Sequence, residues 1–355
     1  MEFNHYSKGV LVRVLFVHEL FPPDVAGGGE LIVSELARGL RSKGVDVEVL
    51  TTGDPRITSF EGIPTHRLPV HRYLFNLAFP FVASRAKSFD IIQSFSFNAS
   101  LPSYVASKFA HKPVVNFVMG VYGGLWKDMK GPVVGRLFSF LERVQLARNF
   151  DRTLFLSDFS MKIGEKIGVK KTGVVHPGVD ARLFRPAKKE PFVLFVGRLS
   201  KQKGVDYLVE AAKALPEVKF VVVGEGEEGE RLRSVAPANV EFKGWLEPRS
   251  KELLDLYSRA LVFCMPSIGE GFGIVLLEAM ASGCAIVSTV PLDYEGANVP
   301  PKSSGALEAA VRSLVGDPKK TEALGRRNAE LSKDYSWDAA AEKLKKMYEE
   351  LLKGL

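Results

Sequence analysis

Twice in this chain a short apolar run stops at a polar or glycine-bearing loop, gives way to a helix with one apolar stripe, and is followed by a second apolar run. The first instance is Val10–His18, the loop Leu20–Gly29 with its prolines and three glycines, a helix from Glu30 to about Lys43, and Val45–Thr51. The second is Phe192–Gly197, the basic loop Arg198–Gly204, a helix Val205–Ala214, and Lys219–Val223. Parallel strands cannot be joined by a tight turn and need a helix as crossover, so this repetition predicts an α/β protein built on doubly wound parallel sheets. At 355 residues the chain exceeds one ordinary domain. Phe184–Pro191, charged and bracketed by prolines, is the expected linker, which sets domains at 1–187 and 188–335.

Other runs extend both sheets. Irregular strands are expected over Ile57–Leu68, and strands at Asp90–Ser94, Lys112–Val118, Thr153–Ser157 and Lys171–His176 in the first half. In the second half they fall at Val240–Phe242, Ala260–Met265 and Ala285–Ser288, with helices at Ser250–Ser258 and Ile274–Ser282. Gly131–Phe150 and Ser160–Ile167 read as helices of the first half. In such sheets ligands lie beyond the carboxyl ends of the strands. That rule singles out the turn at Gly28, the turn Met119–Gly124, the cations Arg198 and Lys203, and Gly224–Gly229. Arg198 and Lys203 suit a diphosphate, or are simply solvated loop charges. Gly224–Gly229 matches GxGxxG, with Glu241 as a candidate ribose acid. Glu225, Glu227 and Glu228 would repel a pyrophosphate, however, and the motif follows the second strand of its domain instead of the first, which argues against a nicotinamide cofactor.

The stretch Ser267–Gly283 carries the sharpest chemistry. A glycine-punctuated turn leads into a helix that is apolar on nearly every face, hence buried, yet contains Glu278. A buried carboxylate needs donors, and a pair of ligand hydroxyls or a donor within the protein would both serve. Gly271 and Gly273 let a ligand approach the backbone, and the free N–H groups of the first helical turn favour an anionic or polarised oxygen.

Charge is uneven. Residues 1–187 carry 24 Lys and Arg against 16 Asp and Glu, whereas 188–355 carry 24 against 25, so the basic character belongs to the first half. That suits an anionic partner such as a sugar phosphate, a phospholipid or nucleic acid, or no more than a soluble basic surface. Val70–Phe89 mixes His71, Arg72, Arg85 and Lys87 with aromatic and apolar residues. It reads either as a membrane-surface segment or as a core helix whose stripe Pro80 interrupts. Two cysteines, Cys264 and Cys284, lie in apolar runs and fit a reducing compartment. Met1–Ser7 is polar and nothing approaches a spanning helix, so a cytoplasmic location is expected, in peripheral contact at most with the inner face of a membrane.

In this order, PPDVAGGGE (Pro22–Glu30), PGVDARLFRP (Pro177–Pro186), FVGRLSKQKGVDYLVEAAK (Phe192–Lys213), VVGEGEEGERL, VEFKGWL and PSIGEGFGIVLLEAMASG resemble the retaining glycosyltransferases of family 4 over essentially the whole chain. The last of these is similar to the family signature of two glutamates separated by seven residues, here Glu270 and Glu278. The resemblance implies the GT-B fold, two Rossmann-like domains facing each other across a cleft, with a terminal helix within 336–355 returning to the first. It implies transfer of a sugar from a nucleoside-diphosphate sugar to an acceptor hydroxyl, with no metal and no cofactor. Arg198 and Lys203 would hold the diphosphate, Glu278 the ribose, and Glu270 with the amides of Gly271, Phe272 and Gly273 the sugar. Gly28 would approach the phosphates, and Gly224, Gly226, Trp245 and Leu246 would flank the base. The acceptor, a glycan, a small molecule or a lipid-linked sugar, would lie by Met119, Gly120 and Tyr122, and nucleic acid is not a partner. Two departures stand out: Met119 occupies the place of a family histidine, and the segment 289–303 is shorter than usual. A sugar-nucleotide epimerase, a glycan phosphorylase or a non-catalytic sugar-nucleotide binder are the alternative readings on this architecture.

Overall fold

A computed structural model of the protein describes residues 11–25 and 27–354; Met1–Ser7, Val10 and Ala26 lie outside the described residues. The chain forms two compact units. One comprises residues 1–121, 139–177 and 337–355, the other 122–138 and 178–336.

The first unit holds strands β1 (Arg13–Val17), β2 (Asp46–Thr52), β3 (Ser59–Phe60), β4 (Ile63–Leu68), β5 (Ile91–Phe95), β6 (Val114–Val118), β7 (Arg152–Phe155) and β8 (Thr172–Val174). They make one sheet in the order β3-β4-β2-β1-β5-β6-β7-β8. Only the β3–β4 pair is antiparallel; β1 pairs in parallel with both β2 and β5. Every residue of β5 and β6 is buried, as in a parallel sheet covered on both faces, and the polar Gln93, Ser94 and Asn116 are buried with the rest.

The second unit holds β9 (Glu190–Val196), β10 (Lys219–Val223), β11 (Val240–Gly244), β12 (Ala260–Met265), β13 (Ala285–Ser288) and β14 (Gly296–Asn298), in the order β11-β10-β9-β12-β13-β14. All its neighbours are parallel. Val193 and Phe195 of β9 pack on Val205, Leu208, Val209 and Ala212 of the helix Val205–Lys213. Full burial of each large side chain contributes about 1.5–3 kcal/mol. The α/β class and the two doubly wound parallel sheets expected from the sequence are therefore present. In each sheet the first strand is central and the order reverses beside it, between β1 and β5 and between β9 and β12. Those reversals open the crevices in which such sheets take ligands.

Several elements differ from the sequence reading. A helix Ser96–Ala110 follows β5 where no element was assigned; Pro102 lies inside it and blurs the helical signal. Val70–Phe89 is not one interrupted helix: a 3-10 turn, Arg72–Leu77, precedes the helix Phe79–Ala86. Pro80 sits in the first turn of that helix, where its missing N–H costs nothing, so it starts the helix instead of breaking it. The short segment after β13 is not merely loop, because it contributes the edge strand β14, with Ile286 opposite Gly296. β9 begins at Glu190, inside the segment Phe184–Pro191.

The terminal helix Trp337–Lys353 belongs to the first unit and packs on the helix Gly28–Ser42. Lys345 Nζ donates to Lys43 O at 2.8 Å, Lys43 pairs with Asp338 at 2.7 Å, and Tyr348 OH bonds Gln93 Oε1 of β5.

Candidate active site

The crevice of the second unit is bounded by the loops that follow β9 and β12. The β9 loop carries Arg198, which is exposed, and then the 3-10 turn Lys201–Lys203. Gly204 closes that turn at φ +66°, and a Cβ there would lie 2.1 Å from Pro266 O. No other residue type fits, because glycine alone combines the left-handed backbone with that close approach. Two further bonds tie the loops together: Ile268 N donates to Gln202 O at 2.8 Å and Gln202 Nε2 to Gly269 O at 3.0 Å.

This stitching places the Lys203 ammonium on the Glu270 carboxylate as an ion pair that is only partly exposed, 22% and 12% for the two side chains. Glu270 also accepts from Ser267 Oγ at 3.5 Å and from Gly271 N at 3.3 Å. The residue expected on the diphosphate and the residue expected on the sugar thus touch each other. Gly273, at φ +85°, turns the chain into the helix Ile274–Ala281, and Phe272 is buried with its ring edge-on to Tyr335. An apolar helix of this kind stays put only against a core, and Leu276, Leu277, Ala279 and Met280 supply that anchorage.

Glu278, on the same helix, retains partial solvent exposure. Its Oε2 accepts from Tyr257 OH at 2.8 Å, and Oε1 takes no hydrogen bond from the described residues. Burial pushes the carboxyl above its usual range, while the Tyr257 hydrogen bond and the charge of Arg249 pull the other way. The protein itself thus supplies a donor to this glutamate through Tyr257. Tyr257 was not anticipated as a site residue. It is fully buried between Phe184 and Phe263, and burial with the neighbouring carboxylate raises its phenol well above the ordinary range. The available signal was a tyrosine on the buried stripe of the helix Lys251–Arg259, where a phenolic OH needs a partner.

The remaining loops lie along the same carboxyl edge. Leu199 N donates to Glu225 O at 2.9 Å and Gly224 N to Gly244 O at 2.7 Å, so the Gly224–Gly226 turn is fastened to its neighbours on both sides. Trp245 and Leu246 follow β11, and Trp245 is 52% exposed, with Nε1 donating to Glu247 Oε1 at 3.3 Å.

In the first unit Gly28 is exposed at the start of its helix, where Gly27 N donates to Glu30 Oε2 at 2.9 Å. Met119 and Gly120 follow β6 in that unit, but Tyr122 counts with the second, its ring against Gly269 and edge-on to Trp126. The three residues grouped by sequence as an acceptor side are therefore divided. Sequence reasoning also missed a partly buried polar cluster at the first unit's own crevice. Glu19, just past β1, accepts from Asn98 Nδ2 at 3.3 Å and Arg72 NH2 at 3.4 Å, with His18 at 4.0 Å. Both cysteines are free and buried, and among the described residues no group of three His, Cys, Asp or Glu could hold a metal ion.

Two family models match the chain: a glycosyl transferase 4-like domain over residues 27–178 and glycosyl transferases group 1 over 181–331. Over 92% of its length the chain is 29% identical to the phosphatidyl-myo-inositol mannosyltransferase of Mycobacterium leprae, of which it covers 94%. In fold it is similar to the sucrose-phosphate synthase of Thermosynechococcus elongatus, with a TM-score of 0.83 at 21% identity over 97% of this chain and all of the other. An Anabaena protein solved with UDP-glucose gives 0.78 at 20% identity over 97% of this chain and 100% of that one.

Proposed function

The chain belongs to the group 1 glycosyl transferases, and on that premise we propose that it transfers a sugar from a nucleoside-diphosphate donor to an acceptor hydroxyl, retaining the anomeric configuration and using no metal. The observation that carries this reading is the Lys203–Glu270 ion pair joining the loops that follow β9 and β12, with Glu278 on the helix that the second loop leads into. The solved relative bound to UDP-glucose supports the class of donor.

In this scheme Glu278 accepts the ribose hydroxyls on the oxygen that Tyr257 leaves open. Arg198 and Lys203 neutralise the charge that grows on the diphosphate as the anomeric bond breaks, a term commonly worth several kcal/mol. Lys203 turns from Glu270 to the phosphate when donor binds, which frees Glu270 and the Gly271–Gly273 backbone for the sugar hydroxyls. Gly224, Gly226, Trp245 and Leu246 flank the base. Met119 cannot take a proton, so the departing phosphate oxygen receives it from the acceptor, which therefore attacks on the face the phosphate leaves. The cluster of Glu19, Arg72 and Asn98 orients the hydroxyls of the acceptor, whether a glycan, a small molecule or a lipid-linked sugar. We place the enzyme in the cytoplasm, and its two buried free thiols support a reducing compartment.

Calorimetric titration with UDP and GDP tests the donor site: Glu278→Ala and Arg198→Ala should each weaken binding at least tenfold, and unchanged binding in both removes the assignment. Product configuration read by NMR tests retention, and turnover that stops with EDTA removes metal independence.

A further inference from the structure

The 3-10 turn Arg72–Leu77 and the helix Phe79–Ala86 carry more apolar surface than their fold uses. Phe75, Ala78, Val82 and Ala86 point inward and complete a core with Phe89, Ala99 and Ala106. A second stripe, Leu74, Leu77 and Phe81, points out, at 55%, 71% and 58% exposure. Tyr73 at 69% and Phe109 at 67% extend it, the latter stacked on Phe79 at 6.1 Å from the neighbouring helix Ser96–Ala110. Polar residues at these places would serve the fold equally well, and clustered large apolar side chains on a surface mark a contact site.

Charge identifies what covers it. Residues 69–112 contain five Lys and Arg, namely Arg72, Arg85, Lys87, Lys108 and Lys112, against the single acid Asp90. Asp90 is engaged by Arg13 N at 2.8 Å. Arg72 and Arg85 are held by Glu19 and Glu48, but Lys87 and Lys112 form no ion pair with the described residues, and Lys108 lies 5.0 Å over the Tyr104 ring. Exposed aromatic and leucine side chains on elements that also carry unneutralised lysines match the headgroup layer of an anionic bilayer, where the rings enter the interface and the cations meet phosphates. No described helix is long and apolar enough to cross a membrane.

We infer that this face, on the turn Arg72–Leu77 and the helices Phe79–Ala86 and Ser96–Ala110, docks the protein on the surface of an anionic lipid bilayer. The inference stands apart from the donor site of the glycosyl-transfer reading, because no residue of the second unit enters it.

The full chain is sedimented with vesicles of phosphatidylcholine alone or with about one third phosphatidylglycerol. Retention is expected only on the anionic vesicles, strongest at low salt. Lys87→Gln/Lys108→Gln/Lys112→Gln should lower partitioning at least tenfold, since each cation near the surface contributes about fivefold. Leu77→Ser/Phe81→Ser/Phe109→Ser should do the same at all salt concentrations. UDP titration of both variants keeps the two readings separate, as donor binding should match wild type. Absence of retention on anionic vesicles at low salt overturns the inference, and so does retention unaltered in both variants. Conversion of a wild-type dimer to monomer by the serine variant, with vesicle binding unchanged, would assign the face to a second copy instead.

Discussion

Tyr257→Phe isolates the hydrogen bond that the protein itself makes to the candidate ribose acid. The phenol donates to Glu278 Oε2 at 2.8 Å from a ring fixed by Phe184 and Phe263, and the substitution removes one oxygen while the ring stays in place. A hydrogen bond to an ionised acceptor is worth about 1.5–3 kcal/mol. That bond favours the charged carboxylate and opposes burial, which already pushes Glu278 upward. Its loss therefore raises the carboxyl further, so over a band of pH the wild-type group is ionised and the variant's is protonated. A protonated carboxyl accepts ribose hydroxyls poorly, and within that band UDP should bind the variant about ten- to a hundredfold more weakly, the same 1.5–3 kcal/mol expressed as an equilibrium constant. At higher pH both proteins hold the carboxylate and the affinities should converge. Calorimetry of UDP binding from pH 5 to 9 measures the ratio directly. A ratio that is constant with pH, or near unity throughout, would refute the coupling between Tyr257 and Glu278.

Glu270→Gln keeps the size of the side chain but releases Lys203, so kcat should fall about a hundredfold, roughly 2.7 kcal/mol, with UDP affinity held or improved; an unchanged kcat in steady-state assays would exclude Glu270 from the sugar site. Gly204→Ala forces a Cβ toward Pro266 O at a left-handed position, and a loss of about 2 kcal/mol or more is expected as a lowered thermal midpoint, whereas an unaltered midpoint contradicts the packing. Asn328, fully buried, accepts from Glu295 N at 2.7 Å and donates to Cys284 O and Glu295 O at 2.8 Å each. Asn328→Ala strips three bonds from the β13–β14 edge at about 1 kcal/mol apiece, so denaturant unfolding should show a loss near 3 kcal/mol.

The sheets were legible because their strands are largely apolar runs that stop at glycine or basic loops, as at Phe192–Gly197. The crossover helix Val205–Lys213 announced itself by a single apolar stripe. Helix Ser96–Ala110 did not, since Pro102 and scattered serines leave no clean period. β14 was hidden by its length of three residues, too few for alternation to register. At the site, Glu278 could be singled out because one charge in an apolar helix is a local contradiction. Its partner Tyr257 lies 21 residues away, and the pairing is made by packing, which a linear pattern does not carry. The contact of Tyr122 is hidden in the same way: it follows β6 in sequence, yet its ring lies against Gly269.

The helix Trp337–Lys353 has a bearing on how the chain is born. Lys345 meets Lys43 across 302 residues. Ribosomes add about 5–20 residues per second, so the apolar flank of Gly28–Ser42 waits some 15 to 60 s for its cover to be synthesised. Through that interval the leading half of the nascent polypeptide presents a bare helical face, and holding it from aggregation falls to a chaperone or to the speed with which the second sheet assembles behind it.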